Sequence, residues 1–329
     1  MTHNIPRLNF AHLPTAIEEL PRLTKALNGP RLLVKRDDQT GLAFGGNKTR
    51  KLEFLIAEAQ AQGADMLISA GAIQSNHCRQ TAAAAARFGF ECTLVLTGAT
   101  PKQPSANFLL DQLFGASIVT VENRKDRDRI LQETFDQAVA AGKKPYLVPY
   151  GGSSATGALA YAFAVEEIVE QKVNADWILF GTSSGGTHAG LVLGQRLFNF
   201  NGKILGISID EPEAELKRHV SQLASQTSER FGTRIDFTPD DVLANENYCQ
   251  AGYGVFGAGE REAIRLFASH EGLLLDPVYT GRAAAGMIDL IRKGFFKEDE
   301  TILFLHTGGQ IALFAEKYVA QVVRESAGG

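Results

Sequence analysis

The sequence predicts an α/β fold built on mostly parallel sheets, and three observations lead there. Short apolar runs alternate with longer stretches of helical period along almost the whole chain. The runs are continuously apolar instead of alternating, as expected of strands covered on both faces. The 33 glycines form no low-complexity tract and punctuate strand-to-helix turns. In chain order, the strand patterns lie at 32–34, 66–70, 93–96, 118–121, 146–148, 177–180, 204–209 and 301–305. Helical patterns run from Lys48 onward and over 74–88, 127–140, 155–170, 188–198, 260–270 and 280–293. Residues 222–238 read as polar and poorly patterned, and no internal repeat or linker is visible.

Bulk properties bound the function. The chain has 329 residues, 44% hydrophobic and 21% charged, a globular profile long enough for two lobes. A net charge of -4 gives no electrostatic reason to expect nucleic acid as a partner. No apolar run approaches membrane-spanning length, and the first residues lack the apolar core of a secretion signal. Cys78, Cys92 and Cys249 have no metal-ligand spacing, so no metal is expected, and they suit a reduced, cytoplasmic setting.

In sheets of this kind, ligands bind beyond the carboxyl ends of strands, where loops enter helices. The segment 45–53, Gly-Gly-Asn-Lys-Thr-Arg-Lys-Leu-Glu, is the most informative of all. Leu52, Leu55, Ile56 and Ala59 follow at helical spacing, which puts Lys48 in the first turn. The helix dipole is positive there and disfavours a cation, so Lys48 is placed to be a neutral amine, a nucleophile toward carbonyls. Gly41, Gly46, Lys48 and Thr49 imitate a nucleotide P-loop, but Asn47 intervenes and sets the lysine one place late.

Ser75, Asn76 and His77 open the next helix after a strand, and such a helix start suits a carboxylate. After 177–180 come Gly181, Thr182, Ser183, Ser184, Gly185, Gly186 and Thr187, small residues whose backbone N–H groups can converge on one anion. No Walker lysine follows, so a single phosphate is expected. Residues 252–257 match the dinucleotide spacing G-x-G-x-x-G, but the preceding 245–250 are polar and supply no buried strand. Tyr279 stands on the Asp276-Pro277 turn, where it can handle a proton. Thr307, after the apolar run 301–305, can offer a neutral hydroxyl to a ring nitrogen.

Taken together and in this order, these segments resemble the fold-type-II pyridoxal-phosphate enzymes, whose type is tryptophan synthase β. More narrowly, they resemble the 1-aminocyclopropane-1-carboxylate (ACC) deaminase and D-cysteine desulfhydrase family, over nearly the whole length. The resemblance implies pyridoxal 5'-phosphate as cofactor, held covalently by Lys48. It implies that Asn76 bonds the cofactor's 3-hydroxyl and that Ser183, Ser184, Gly185, Gly186 and Thr187 cradle its phosphate, supported by Lys51. Ser75, Asn76 and His77 would meet the substrate carboxylate. Tyr279 and Tyr253 would line the substrate side, which gives the false dinucleotide pattern a better explanation. Lys48, Ser75, Tyr279 and Tyr253 are thus the catalytic candidates, with Lys48 and Tyr279 both open as the base at the α-carbon.

Two positions discriminate within that family. Its deaminases carry a glutamate directly after the tyrosine of the Asp-Pro-Val-Tyr turn, and a leucine in the later loop. This chain has Thr280 and Thr307, as the desulfhydrases do. A carboxylate beside the pyridine nitrogen keeps it protonated and deepens the electron sink needed to open a cyclopropane. Threonines suffice for releasing a good leaving group. The expected reaction is therefore β-elimination from a small amino acid, first D-cysteine to pyruvate, sulfide and ammonia. L-Cysteate losing sulfite is the alternative, ring opening of ACC the second, and a non-catalytic binder of pyridoxal phosphate the reading from a different class. The resemblance also implies two three-layer αβα lobes, residues 1–53 with 163–329 and residues 54–162, a cleft between them, and a homodimer.

Overall fold

The computed structural model describes residues 5–323. Its strands are β1 (Ile17–Glu19), β2 (Arg31–Lys35), β3 (Met66–Ala72), β4 (Glu91–Thr97), β5 (Ser117–Val121), β6 (Pro145–Leu147), β7 (Trp177–Thr182), β8 (Lys203–Ser208), β9 (Leu243–Asn245) and β10 (Thr301–Leu305). Its helices are α1 (Pro21–Leu27), α2 (Asn47–Ala61), α3 (Asn76–Phe88), α4 (Ala106–Leu113), α5 (Arg127–Ala140), α6 (Ala155–Glu170), α7 (Gly186–Leu197), α8 (Glu213–Phe231), α9 (Ala258–Glu271), α10 (Thr280–Arg292) and α11 (Glu316–Val323).

The strands form two sheets, a six-stranded one in the order β1-β2-β10-β7-β8-β9 and a four-stranded one in the order β5-β4-β3-β6. Every pairing is parallel except β1 with β2, so the fold is α/β with parallel sheets, as the uninterrupted apolar runs indicate. All five residues of β10 are buried, which is why the sequence shows no alternation there. No helix among the described residues is long and apolar enough to cross a membrane.

Both ends of the 54–162 segment fall inside helices: α2 runs through residue 54 and α6 through residue 162, and the two helices pack on each other. A buried ion network joins that helix pair to the start of the chain. Arg50 grips the Asp37 carboxylate with two hydrogen bonds of 2.8 Å and Glu167 with two of 2.9 Å. Thr15 and Tyr161 donate to Asp37 at 2.8 and 2.6 Å, and Lys35 pairs with Glu167.

The sequence reading missed one long element. The stretch read as poorly patterned contains most of α8, the 19-residue helix whose buried face is Leu216, Val220, Ser221, Leu223, Ala224, Thr227, Ser228 and Phe231. The stripe has helical spacing, but Ser and Thr complete it, so hydrophobicity alone does not outline it. Thr227 satisfies its buried hydroxyl on the Leu223 carbonyl, four residues back, at 2.6 Å. Residues 273–275, which lead into the Asp276 turn, are irregular.

Candidate active site

Lys48 lies in the first turn of α2 because two glycines allow the chain to enter there. Gly45 and Gly46 have φ of 66° and 120°, and a Cβ on Gly45 would stand 2.1 Å from the Asp38 carbonyl oxygen. The Thr40 hydroxyl accepts from Gly46 N–H and donates to Gly46 O, both at 2.8 Å, fixing the entry. Asn47 N–H then donates to Thr307 O at 3.0 Å, which ties the lysine's helix to the loop after β10. The approach is close enough that a Cβ on Gly308 would lie 2.6 Å from Gly46 Cα.

A second wall is the loop from β7 into α7. Gly185 takes the left-handed conformation, and Gly186 N–H donates to Ser153 Oγ at 3.1 Å. A Cβ on Gly186 would meet Ser153 Cα at 2.8 Å, so only glycine fits between the two segments. Ser153 and Ser184 share a hydroxyl hydrogen bond of 2.8 Å, and Asn47 Nδ2 donates to Thr187 Oγ1 at 3.0 Å. On a third side, Ser75 caps α3 by accepting from Cys78 N–H at 3.2 Å, which leaves its own proton free to donate. The fourth wall is Tyr279. The Asp276 carboxylate accepts from the N–H groups of Val278 and Tyr279 at 2.9 Å each and of Thr280 at 2.6 Å, and locks the turn.

The resulting cavity encloses about 630 Å³ with its open mouth included. It is lined by Asn47, Lys48, Ser75, Asn76, His77, Thr182, Ser183, Ser184, Gly185, Thr187, Tyr279 and Thr307, among others. The N-terminal turns of α2, α3, α7 and α10 therefore converge on one space, and no lining residue is an aspartate or glutamate. Three of these positive dipole ends carry no carboxylate and make an anion site, while the Asp276 carboxylate caps the fourth, that of α10.

Burial lowers the Lys48 pKa to about 8. The surface Lys48 retains faces this cavity, so its ammonium gains little from bulk water. Desolvation thus adds to the first-turn position on α2 as a reason for a neutral amine. The uptake of a carbonyl compound by Lys48 is therefore expected to rise about tenfold per pH unit below pH 8 and to level off above it. Stopped-flow absorbance of cofactor uptake by apoprotein measures this; a flat profile between pH 6 and about 9 would contradict it.

Several residues singled out from the sequence do not line the cavity. Lys51 is buried one turn beyond Lys48, and its Nζ donates to Gly151 O at 3.1 Å; burial and Lys48 together push its pKa well down. Gly186 lies behind the wall against Ser153. The Thr280 hydroxyl is fully buried and donates to Asp276 Oδ1 at 2.7 Å, inside its own turn. Tyr253 reaches the cavity only through Tyr279, the two hydroxyls 2.7 Å apart. No strand directly precedes the 252–257 glycines, as the rejection of a dinucleotide site required. His77 does line the cavity, but as a neutral ring: burial and then Lys48 push its pKa well down, and its Nε2 lies 2.9 Å from Ser69 Oγ.

Sequence reasoning missed Tyr150, Gly151 and Ser153. The signal was present, since the apolar run 146–148 is followed by a Pro-Tyr-Gly-Gly turn like those after the other strands. Among the described residues, no cluster of three or more His, Cys, Asp or Glu is placed to hold a metal.

A deep lysine of lowered pKa, a loop whose glycines leave no room for a Cβ and three helix starts free of carboxylates fit a phosphorylated aldehyde. The family model described as "Pyridoxal-phosphate dependent enzyme" matches residues 8–308. The chain belongs to that family, and pyridoxal phosphate is its cofactor. Among its relatives are the D-cysteine desulfhydrases of Salmonella typhimurium (strain LT2) and Salmonella choleraesuis (strain SC-B67). Each is 43% identical over 318 residues, covering 94% of this chain and 96% of the relative. A crystal structure of an ACC deaminase homologue superposes with a TM-score of 0.89 at 35% identity, over 97% of this chain and 96% of that one. A pyridoxal 5'-phosphate-dependent aspartate racemase has a TM-score of 0.66 at 15% identity, with 90% of each chain covered, a likeness of fold alone.

Proposed function

We propose that this enzyme is a carbon–sulfur lyase that converts D-cysteine and water to pyruvate, sulfide and ammonia. The observation that carries the substrate is the near-full-length likeness to the two Salmonella desulfhydrases. The cavity supports it, because among the described residues that line it Lys48 alone is cationic. A sulfonate such as that of L-cysteate calls for a second cation. Arg79 does not supply one, since it donates to Asn76, Asn107 and Gly45 O. Arg124 and Arg127 line a neighbouring cleft on the far side of Tyr150. With no carboxylate at the wall and a threonine at position 307, nothing supports the deep electron sink that ring opening needs.

Bound at Lys48, pyridoxal phosphate supplies electron withdrawal from the substrate's α-carbon. In our reading, Ser183, Ser184, Gly185 and Thr187 hold its phosphate at the N-terminus of α7, Gly186 ties that loop to Ser153, and Lys51, donating to Gly151 O, supports the wall from behind. Asn76 donates to its phenolic oxygen, and Thr307 meets its ring nitrogen. Ser75 directs its free hydroxyl proton at the substrate carboxylate beside the first N–H groups of α3, where His77 contributes shape and no charge. Lys48 takes the α-proton, since about a tenth of an amine with a pKa of about 8 is neutral at pH 7 and half of it at pH 8. Tyr279 is unsuited to be that base. Burial, and the neighbouring Tyr253 hydroxyl, push its pKa well up, so it stays protonated and can donate to the departing sulfur. Thr280 acts indirectly, by completing the Asp276 turn that aims Tyr279.

We take residues 1–53 with 163–329 as the cofactor-binding lobe, residues 54–162 as the smaller lobe and a homodimer as the assembly, in the reduced cytoplasm. The test of function is release of sulfide and pyruvate in equal amounts from D-cysteine. L-Cysteate and ACC are expected to react with kcat/KM lower by on the order of 100-fold or more. Sulfite from L-cysteate, or 2-oxobutanoate from ACC, as the dominant product would overturn it.

A further inference from the structure

A chain of hydrogen bonds behind the cavity dictates which way one of its amides faces. Arg79 is buried and can only donate, so the Asn107 atom it meets at 2.7 Å is Oδ1. Asn107 Nδ2 is thereby turned the other way, donating to Gln74 O and to Asn76 Oδ1, each at 2.9 Å. Arg79 also donates to Asn76 Oδ1 at 3.2 Å. With two donors on its oxygen, Asn76 must present its Nδ2 protons to the cavity. A flipped amide would set N–H against N–H on both contacts. That Nδ2 has no hydrogen bond to any described residue and stands over the 308–309 loop, where a Cβ on Gly309 would meet it at 2.6 Å.

The relay is held under strain. Ala106, which precedes Asn107, has φ of 50°, a conformation costly for a side chain with a Cβ. Gln74 keeps it there, its Oε1 accepting from Asn107 N–H at 2.9 Å and its Nε2 donating to Ser105 O at 3.2 Å. Asn107 is completely buried, 31 residues from Asn76 in sequence, and belongs to a different helix.

We infer that Asn107 and Arg79 are positioning residues that force Asn76 to act as a hydrogen-bond donor to an anionic oxygen of the cofactor. The inference rests on the pyridoxal phosphate reading of the cavity. Because the relay fixes an orientation, its loss acts on the cofactor's absorption spectrum as well as on affinity. In Asn107→Asp a carboxylate oxygen replaces the donor to Asn76, so the Asn76 amide is expected to turn its oxygen inward.

The experiment titrates apoprotein with pyridoxal phosphate and follows its absorption band for wild type, Asn107→Asp, Asn76→Ala and the double variant. Asn107→Asp should shift the band and weaken binding about tenfold, the scale of one hydrogen bond to a charged group. In the Asn76→Ala background it should add no further change, since its path runs through Asn76. If Asn107→Asp does not fold, Asn107→Ser carries the same test, because it removes both the donor to Asn76 and the acceptor of Arg79. A wild-type spectrum and affinity in the Asn107 variant, or an equal loss in both backgrounds, would overturn the inference. Wild-type protein that takes up no cofactor would overturn the underlying reading along with it.

Discussion

Lys48→Ala is expected to lower kcat/KM for sulfide release from D-cysteine by at least about 10³-fold, with the fold and stability kept. The size follows from the two roles proposed for Lys48, covalent anchor of the cofactor and base at the α-carbon, which would be lost at once. The side chain makes no ion pair or hydrogen bond with any described residue, and its charged form is disfavoured by burial. Its removal therefore costs no packing network, and thermal unfolding should move little or upward. Lys48→Arg should be as inactive as alanine, because a guanidinium stays protonated and is no nucleophile. Methylamine added to Lys48→Ala should restore part of the rate, whereas a rate within tenfold of wild type without added amine would make Lys48 a bystander.

The second large effect is on stability. Asp37→Ala is expected to cost about 3–5 kcal/mol, read as a lower urea midpoint at unchanged slope, because it leaves a buried Arg50 with an empty face. Burial alone would raise the Asp37 carboxyl, but the Arg50 charge and its hydrogen bonds hold the pKa below the ordinary 3.8. Glu167 is likewise held below 4.5 against the effect of its own burial, first by Arg50 and then by Lys35. Groups with lowered folded values stabilise above their unfolded pKa and lose that contribution as pH falls through the folded one. Stability of the wild type should thus begin to drop near pH 4.5 and continue below 3.8, and Asp37→Ala should flatten that slope. An unchanged urea midpoint would mean that the network contributes no net stability. Arg50 lies two residues from Lys48 on α2, so the network anchors the helix that carries the proposed catalytic amine.

Much of this was legible in the sequence because it is local. Eight apolar runs became strands, and α5 and α6 occupy Arg127–Ala140 and Ala155–Glu170, the limits that periodicity gave. The loops that carry Lys48, Ser75, Ser184 and Tyr279 follow from strand ends, glycines and capping residues, all short-range signals. What could not be read depends on distant pairing. Nothing in a string tells that Arg50 will meet both Asp37 and Glu167, or that Asn107 will turn Asn76. The position of Thr280 illustrates the same limit: the family resemblance implied a cofactor contact, yet its hydroxyl bonds Asp276, four residues back in its own turn. The α8 helix escaped because hydroxyl side chains, satisfied on the backbone, occupy part of its buried stripe.

The most direct measurement reduces the cofactor-loaded protein with borohydride, digests it and locates the pyridoxyl group by mass spectrometry. The modification is expected on Lys48 alone, in the peptide carrying Gly45, Gly46 and Asn47. A label on Lys51 or Lys35, or protein that carries none, would contradict the assignment of the cleft and the chemistry derived from it.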